Sequence, residues 1–258
     1  MTLRLEGAPN FRDLGGLPTV DGRRVRFGRV FRSELLNRVT DADLDRLRGT
    51  SIGAVCDLRH GIERSRQSNR WPEGLDVVTI GGPPADGLEA VQANGVQARI
   101  AQPDFDLDEA RTALANGYRR MPQALAPSLA VVFDHLLAPD PAPLLVHCTS
   151  GKDRSGFVSA VLLSALGVRH EAIVEEYLLS RERTPTQHIR DMLVRFLGDR
   201  LPPGRLEALV DVALVSRAYL EAALAEIDQT WGGMDAYLEK AAGLDAGRRR
   251  ELRARLLS

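Results

Sequence analysis

Short apolar runs separated by polar, turn-rich stretches mark the first 80 residues, whereas from residue 122 onward most apolar positions recur at helical spacing. Arg26–Phe31, Ile52–Leu58 and Leu75–Ile80 have the length and composition of short strands. Between the first two, Thr40 offers an N-cap, Asp41, Asp43 and Asp45 suit the positive end of a helix, and Gly49 offers its stop. Residues 81–110 change character: Gly81-Gly82-Pro83-Pro84-Ala85-Asp86-Gly87 is a turn-rich break, and the weakly patterned stretch after it carries Asp104, Asp106 and Asp108. Long irregular loops inside a domain usually serve a function, so we read 81–120 as an insertion near the functional site. Pro122–Leu137 predicts a helix with Leu125, Leu129, Val132, Phe133 and Leu136 on one side. Leu144-Leu145-Val146 predicts a strand, and Ser155–Leu166 a helix apolar nearly all round, as expected of one buried in the middle of a fold. Helical patterns follow over Ala172–Ser180, Arg205–Ile227, Met234–Ala242 and Asp245–Leu257, the last two after a Trp231-Gly232-Gly233 break. The sum is an α/β core with a helical C-terminal third.

Composition narrows the class. At 44% hydrophobic and 27% charged, the 258 residues can bury a sizeable core without disulfides or metals, though length alone allows one domain or two. A net charge of -1 argues against a general nucleic-acid binder, while leaving room for a local basic pocket. The apolar run Phe157–Val168 is interrupted by serines and too short to span a bilayer, and Met1–Glu6 lacks the apolar stretch of a signal peptide. Two cysteines make no disulfide framework and suit a reducing compartment. The expectation is a cytoplasmic protein without a transmembrane segment. His60, His135, His170 and His188 show no metal-ligand spacing, so neither a metal nor a cofactor is expected.

The chemistry concentrates in His147-Cys-Thr-Ser-Gly-Lys-Asp-Arg-Ser-Gly156: a cysteine at the end of a strand, five residues of loop, and an arginine opening a helix. Backbone N–H groups from Thr149, Ser150, Gly151, Lys152 and onward to Ser155 can curl into an anion nest, with Gly151 permitting a turn that a Cβ would resist. The helix N-terminus adds partial positive charge, and Arg154 can give two parallel hydrogen bonds to phosphate oxygens. Such a cradle suits the flattened phosphoryl group of a transition state. The same field favours the thiolate of Cys148, which becomes a nucleophile able to form a cysteinyl-phosphate. His147 is expected to orient the loop rather than act as a base, and Ser155 to hydrogen-bond the sulfur.

This run resembles the signature loop His-Cys-x-x-Gly-Lys-Asp-Arg-[Ser/Thr]-Gly of the atypical bacterial protein-tyrosine phosphatases, which also act on phosphoinositides. Asn10-Phe11-Arg12-Asp13-Leu14-Gly15-Gly16, Phe31-Arg32-Ser33, Val55-Cys56-Asp57-Leu58-Arg59 and Tyr237-Leu238 resemble other parts of the same family. The resemblance spans nearly the whole chain. It implies one domain over 1–258 of tyrosine-phosphatase-like fold, a mostly parallel sheet flanked by helices, with 180–228 the candidate for lid helices. It further implies hydrolysis of phosphotyrosine, and of phosphoserine/threonine or phosphoinositides beside it, and a phosphorylated protein or phosphoinositide as partner. Two other readings stand beside it: a phosphate- or phosphopeptide-binding module without turnover, and a rhodanese- or arsenate-reductase-like enzyme.

The proton donor for the leaving group is open at this level. Asp153, inside the loop, is the leading candidate, with bracing of the loop as its alternative. Glu73 of Trp71-Pro72-Glu73 reads as part of a turn; Asp86, Asp104, Asp106 and Asp108 are reserves. Lys152 is either a solvated loop lysine or a recognition group for extra phosphates. Asn10, Arg12 and Asp13 either brace the loop or make local turn bonds. Asp57 and Arg59 either line the pocket or form a structural ion pair. Cys56 is expected in the core, with a redox partnership to Cys148 as the sharper alternative. Tyr118, Arg119 and Arg120 either reach the substrate or end a solvated helix.

Overall fold

The short apolar runs cannot cover themselves, and they assemble edge to edge. In the computed structural model, which describes residues 3–81, 102, 105–198, 201 and 204–258, they form one five-stranded sheet in the order β1 (Arg12–Asp13), β2 (Val30–Ser33), β5 (Leu144–His147), β3 (Ala54–Asp57), β4 (Val78–Gly81). Only β1 runs antiparallel to its neighbour; the other pairs are parallel. β2, β3 and β5 are buried at every position, polar residues included, as strands inside a parallel sheet should be. The expected mostly parallel α/β architecture is what forms.

Two strands start later than their sequence suggests. Arg26–Arg29 is not strand: Gly28 turns the chain at φ +72° and leaves Phe27 72% exposed, so pairing begins at Val30. Leu75–Val77 likewise precedes β4, because the Leu75 N–H closes a turn onto Pro72 O at 3.2 Å. That turn contains Glu73, as read.

The helices divide by burial. α1 (Asp41–Arg48) carries the full capping box between Thr40 and Asp43, and α2 (Gly61–Arg66) follows β3. α3 (Leu107–Leu137) begins well before Pro122 and carries Pro122 and Pro127 inside it. An interior proline costs roughly 3 kcal/mol; here a buried stripe from Tyr118 to Leu136 outweighs it. Residues 107–120 are therefore helical, the first turns of α3, and Ala110 packs with Leu197, Leu209 and Val212. Asp106 caps α3 and Asp108 pairs with Arg111 at its exposed start, while Asp86 and Asp104 lie outside the described residues.

α4 (Arg154–Leu166) is buried at nearly every position. It is followed by α5 (His170–Arg183), α6 (Thr186–Leu197), α7 (Leu206–Ala213), α8 (Arg217–Trp231), α9 (Met234–Lys240) and α10 (Ala246–Leu256). The single helix expected over Arg205–Ile227 is two, because the chain extends at Leu214 and again at Ser216, the N-cap of α8, with Val215 buried between them. α8 packs Leu220, Ala223 and Ile227 into the main core. α6 and α7 instead close a small cluster of their own from Ile189, Val210 and Leu214. Among the described residues no helix is long and apolar enough to cross a membrane.

Candidate active site

Parallel register puts Ser33, His147 and Asp57 side by side at the carboxyl ends of β2, β5 and β3, the edge where open α/β sheets bind ligands. The chain leaves β5 through Cys148 and returns into α4 at Arg154. Between them Gly151 adopts φ +67°, and a Cβ there would lie 2.4 Å from Glu34 N and 2.5 Å from Ser33 C. No side chain fits.

The loop is held from behind by its carbonyls. Leu35 N donates to Thr149 O, Asn10 Nδ2 to Ser150 O and Gly151 O (3.2 and 2.9 Å), and Arg32 Nη2 to Gly151 O at 2.8 Å. In a trans peptide C=O and N–H point opposite ways, so the N–H groups of Ser150, Gly151 and Lys152 face away from these anchors. Thr149, Ser150 and Lys152 line a cavity of about 500 Å³. The result is an anion nest with the first turn of α4 at its end.

Cys148 Sγ and Ser155 Oγ meet at 3.3 Å, closing the loop across its mouth. His147 is fully buried. Leu36 N–H donates to Asn69 Oδ1, which fixes that amide and turns its Nδ2 toward His147 Nε2 at 3.0 Å. Nε2 is therefore the acceptor, and Nδ1–H donates to Cys148 O at 3.1 Å. Burial holds this imidazole below its usual pKa despite Asp57 nearby, which keeps it neutral. It orients the backbone of Cys148 and has no proton to take.

Arg154 meets a partner that its own segment does not reveal. Its Nη1 and Nη2 grip Glu63 of α2 at 2.6 and 2.8 Å, Nη1 also reaches Leu58 O, and Thr149 Oγ1 donates to the same carboxylate. Burial would push the Glu63 carboxyl up, but the Arg154 bonds and charge together with Thr149 hold it at about 2. Burial likewise opposes the Arg154 charge, and Glu63 and Cys148 more than restore it. A glutamate at the third position of a short helix reads from sequence only as part of a cap, which it also is, accepting from His60 N at 2.9 Å.

The remaining candidates separate. Asn10 braces the loop. Arg12 does so at one remove, bonding Asn10 O and pairing with Glu176 at 2.6 Å. Asp13 does not touch the loop: it accepts from Gly15 N and Gly28 N, a local turn, because it faces the opposite side of β1. Asp57 and Arg59 form a buried bidentate pair at 2.7–3.2 Å, and Arg59 also lines the cavity. Lys152 is neither solvated nor free; it is 6% exposed and donates to Asp153 Oδ2 (2.7 Å) and Ala213 O (2.8 Å). Tyr118 is no solvated helix end either, since it is buried with its hydroxyl on Asp153 Oδ1 at 2.6 Å. Arg119 bonds Asn116 on the surface. Cys56 and Cys148 are both free thiols, and burial pushes Cys56 up to about 12, which keeps it a core residue.

Sequence reasoning also missed Glu176 and Glu34, and named Arg32 only as part of the Phe31-Arg32-Ser33 resemblance. Glu176 lies between Arg12 and Arg32, and the Arg32 bond to Gly151 O carries that buried network to the loop. Glu34 lines the cavity beside the loop, accepting from Asn10 N and Ser33 Oγ, and burial raises its pKa to about 7.

A nest at a helix N-terminus, a thiol at its mouth and a carboxylate-held arginine can bind and attack a phosphate ester, and the comparisons agree. The sequence profile of the Tyrosine phosphatase family matches residues 3–258. The chain belongs to this family. A Cupriavidus necator protein that carries the name of a tyrosine-protein phosphatase is 33% identical over 251 residues, covering 96% of this chain and 86% of the relative. The triple specificity protein phosphatase PtpB of Mycobacterium tuberculosis is 32% identical over 259 residues, covering 92% of each. This protein is thus a cysteine-dependent protein-tyrosine phosphatase, which sets aside the binding-module and rhodanese-like readings.

Proposed function

We propose that this phosphatase works through Cys148, Arg154, Asp153 and Ser155, and that its substrates extend from phosphotyrosine to phosphoserine/threonine and phosphoinositides. The closed loop, with Cys148 Sγ 3.3 Å from Ser155 Oγ, carries the assignment of roles. Sγ attacks phosphorus as the ester oxygen leaves, the nest and Arg154 take the three non-bridging oxygens, and a carboxylic acid protonates the leaving oxygen. Water then attacks the cysteinyl-phosphate, the S–P bond breaks, and the Ser155 hydroxyl eases the departure of the thiolate.

Breadth of substrate is supported by the name of the mycobacterial relative and by the cavity wall, where Arg38, Arg59, Arg66 and Arg195 outnumber Glu34, Glu63 and Asp191. Such a wall suits substrates carrying more than one anionic group. α6 contributes His188, Ile189, Met192 and Arg195 to that wall and, with α7, forms the lid of this reading, which shortens the candidate from 180–228 to about 184–214. Two free thiols suit a reducing compartment and support a cytoplasmic location.

The test is phosphate release from phosphotyrosine, phosphoserine and phosphoinositide substrates by the intact protein and by Cys148→Ser. Release from all three, abolished in the variant, is the expected result. Equal activity of both proteins would remove Cys148 from the mechanism, and release from phosphotyrosine alone would remove the broader range.

A further inference from the structure

The acid of the reaction needs a fixed orientation, and a buried pair of tyrosines lies against it. Tyr118 of α3 sits between Tyr177, in an edge-to-face contact at 6.3 Å, and Tyr219 at 5.6 Å. Its hydroxyl is 2.6 Å from Asp153 Oδ1 and 2.6 Å from Tyr177 OH. Each phenol has one proton to give, and an ionised carboxylate can only accept. Tyr118 therefore donates to Asp153, and Tyr177 must donate to Tyr118.

We propose that Tyr118 is a positioning residue for proton transfer: by occupying Oδ1 it makes Oδ2 the oxygen of Asp153 that carries the proton to the leaving group. This rests on the phosphatase mechanism above with Asp153 as its acid, and adds the group that aims that acid. Burial, with the Asp153 charge beside it, holds Tyr118 well above the usual tyrosine range, so it stays a phenol and a donor at any working pH.

A proton taken up by Asp153 goes to Oδ2, the side now facing Lys152 Nζ. Lys152 has only donors and cannot share that proton, but its second bond, to Ala213 O, gives it a place to rest when it leaves Oδ2. In the first chemical step the S–P bond forms, the P–O bond breaks and the Oδ2 proton passes to the leaving oxygen. Asp153 is left ionised, with Tyr118 on one oxygen and Lys152 on the other. Both donors are aimed at charge that appears only as the proton departs. In the second step Oδ2 takes a proton back from the attacking water.

Tyr118→Phe keeps the ring packing and deletes only the donor. The experiment compares wild type, Tyr118→Phe and Asp153→Asn on two aryl phosphates, one whose phenolate leaves unprotonated and one whose leaving oxygen needs a proton. The expected result for Tyr118→Phe is a roughly tenfold loss of kcat/KM on the second substrate and less than about twofold on the first. Its rate should also fall at higher pH than the wild type's, because a carboxylate that loses a donor binds its proton more tightly. Equal losses on both substrates, or no loss, would overturn the positioning role. Asp153→Asn without leaving-group dependence would place the acid elsewhere, Glu34 being one other carboxyl beside the loop, and overturn it too. A wild type that releases phosphate from neither substrate would instead defeat the phosphatase mechanism itself, and this inference with it.

Discussion

Two glutamates hold arginines against the same loop, one beneath its floor and one at its rim. Glu176 is sealed between Arg12 and Arg32, the three side chains 5%, 3% and 0% exposed. Glu63 grips Arg154 at the cavity, at 26% and 18%. The floor carries two guanidinium groups against one carboxylate. Burial would push Glu176 up, but the two arginines outweigh it and hold it below the usual carboxylate range, while burial and Arg32 bring Arg12 down to about 10. A net positive charge therefore remains under a loop built for an anion, and Arg32 applies it through Gly151 O. The rim pair is charge-neutral and fixes only the aim of one side chain. Breaking the floor should register as stability, and breaking the rim as rate.

The largest expected effect is at the floor. Glu176→Ala leaves Arg12 and Arg32 buried beside each other without a counter-charge, a change that costs about 3–5 kcal/mol in buried pairs. Urea unfolding measures it, and a variant as stable as wild type would mean that the floor is not holding the loop. At the rim, Glu63→Gln keeps an acceptor for His60 N and one bond to Arg154 but loses the charge and the two-point grip. Since this pair is partly open to water, stability should change by less than about 1 kcal/mol. A loosely aimed Arg154 should still lower kcat roughly tenfold, equivalent to about 1.4 kcal/mol in the barrier. A loss of stability like that of Glu176→Ala would erase the distinction between the two pairs.

The contrast also explains what was legible in the sequence. The loop itself could be read because His147 to Gly156 are contiguous, and each residue type there has a reason to follow the last. β3 and β5 could be read because Ala54-Val55-Cys56 and Leu144-Leu145-Val146 are continuous apolar runs. The start of α3 could not, because Pro122 carries a strong local stop signal and only tertiary burial overrides it. Nor could the partners of the loop: Arg12 and Glu176 are 164 positions apart, Arg154 and Glu63 91. No periodicity links such residues; packing of α2 and α5 against the sheet edge does. Lys152 could be read only as a choice between a solvated and a phosphate-recognising lysine, because one acceptor of its amine, Ala213 O at the end of α7, lies 61 positions away.

Glu34 sharpens the contrast from outside it, because it belongs to neither pair. It lies between floor and rim with no arginine bonded to it, and burial raises its carboxyl from the ordinary value near 4.5 to about 7. A group with a raised folded-state pKa binds more protons folded than unfolded, so its contribution to stability is fully present below about pH 4.5 and is lost as the pH rises through about 7. The shift corresponds to roughly 3–4 kcal/mol over that interval. Glu34→Gln cannot ionise and still offers an oxygen to Asn10 N. It should match wild type near pH 4 and exceed its stability at pH 8 by an amount of that order, measured by urea unfolding at both values. Equal stability of the two proteins at pH 8 would mean that Glu34 is ionised in the fold without cost, its charge met by the positive excess of the floor, and the boundary between floor and rim would then lie beyond Glu34.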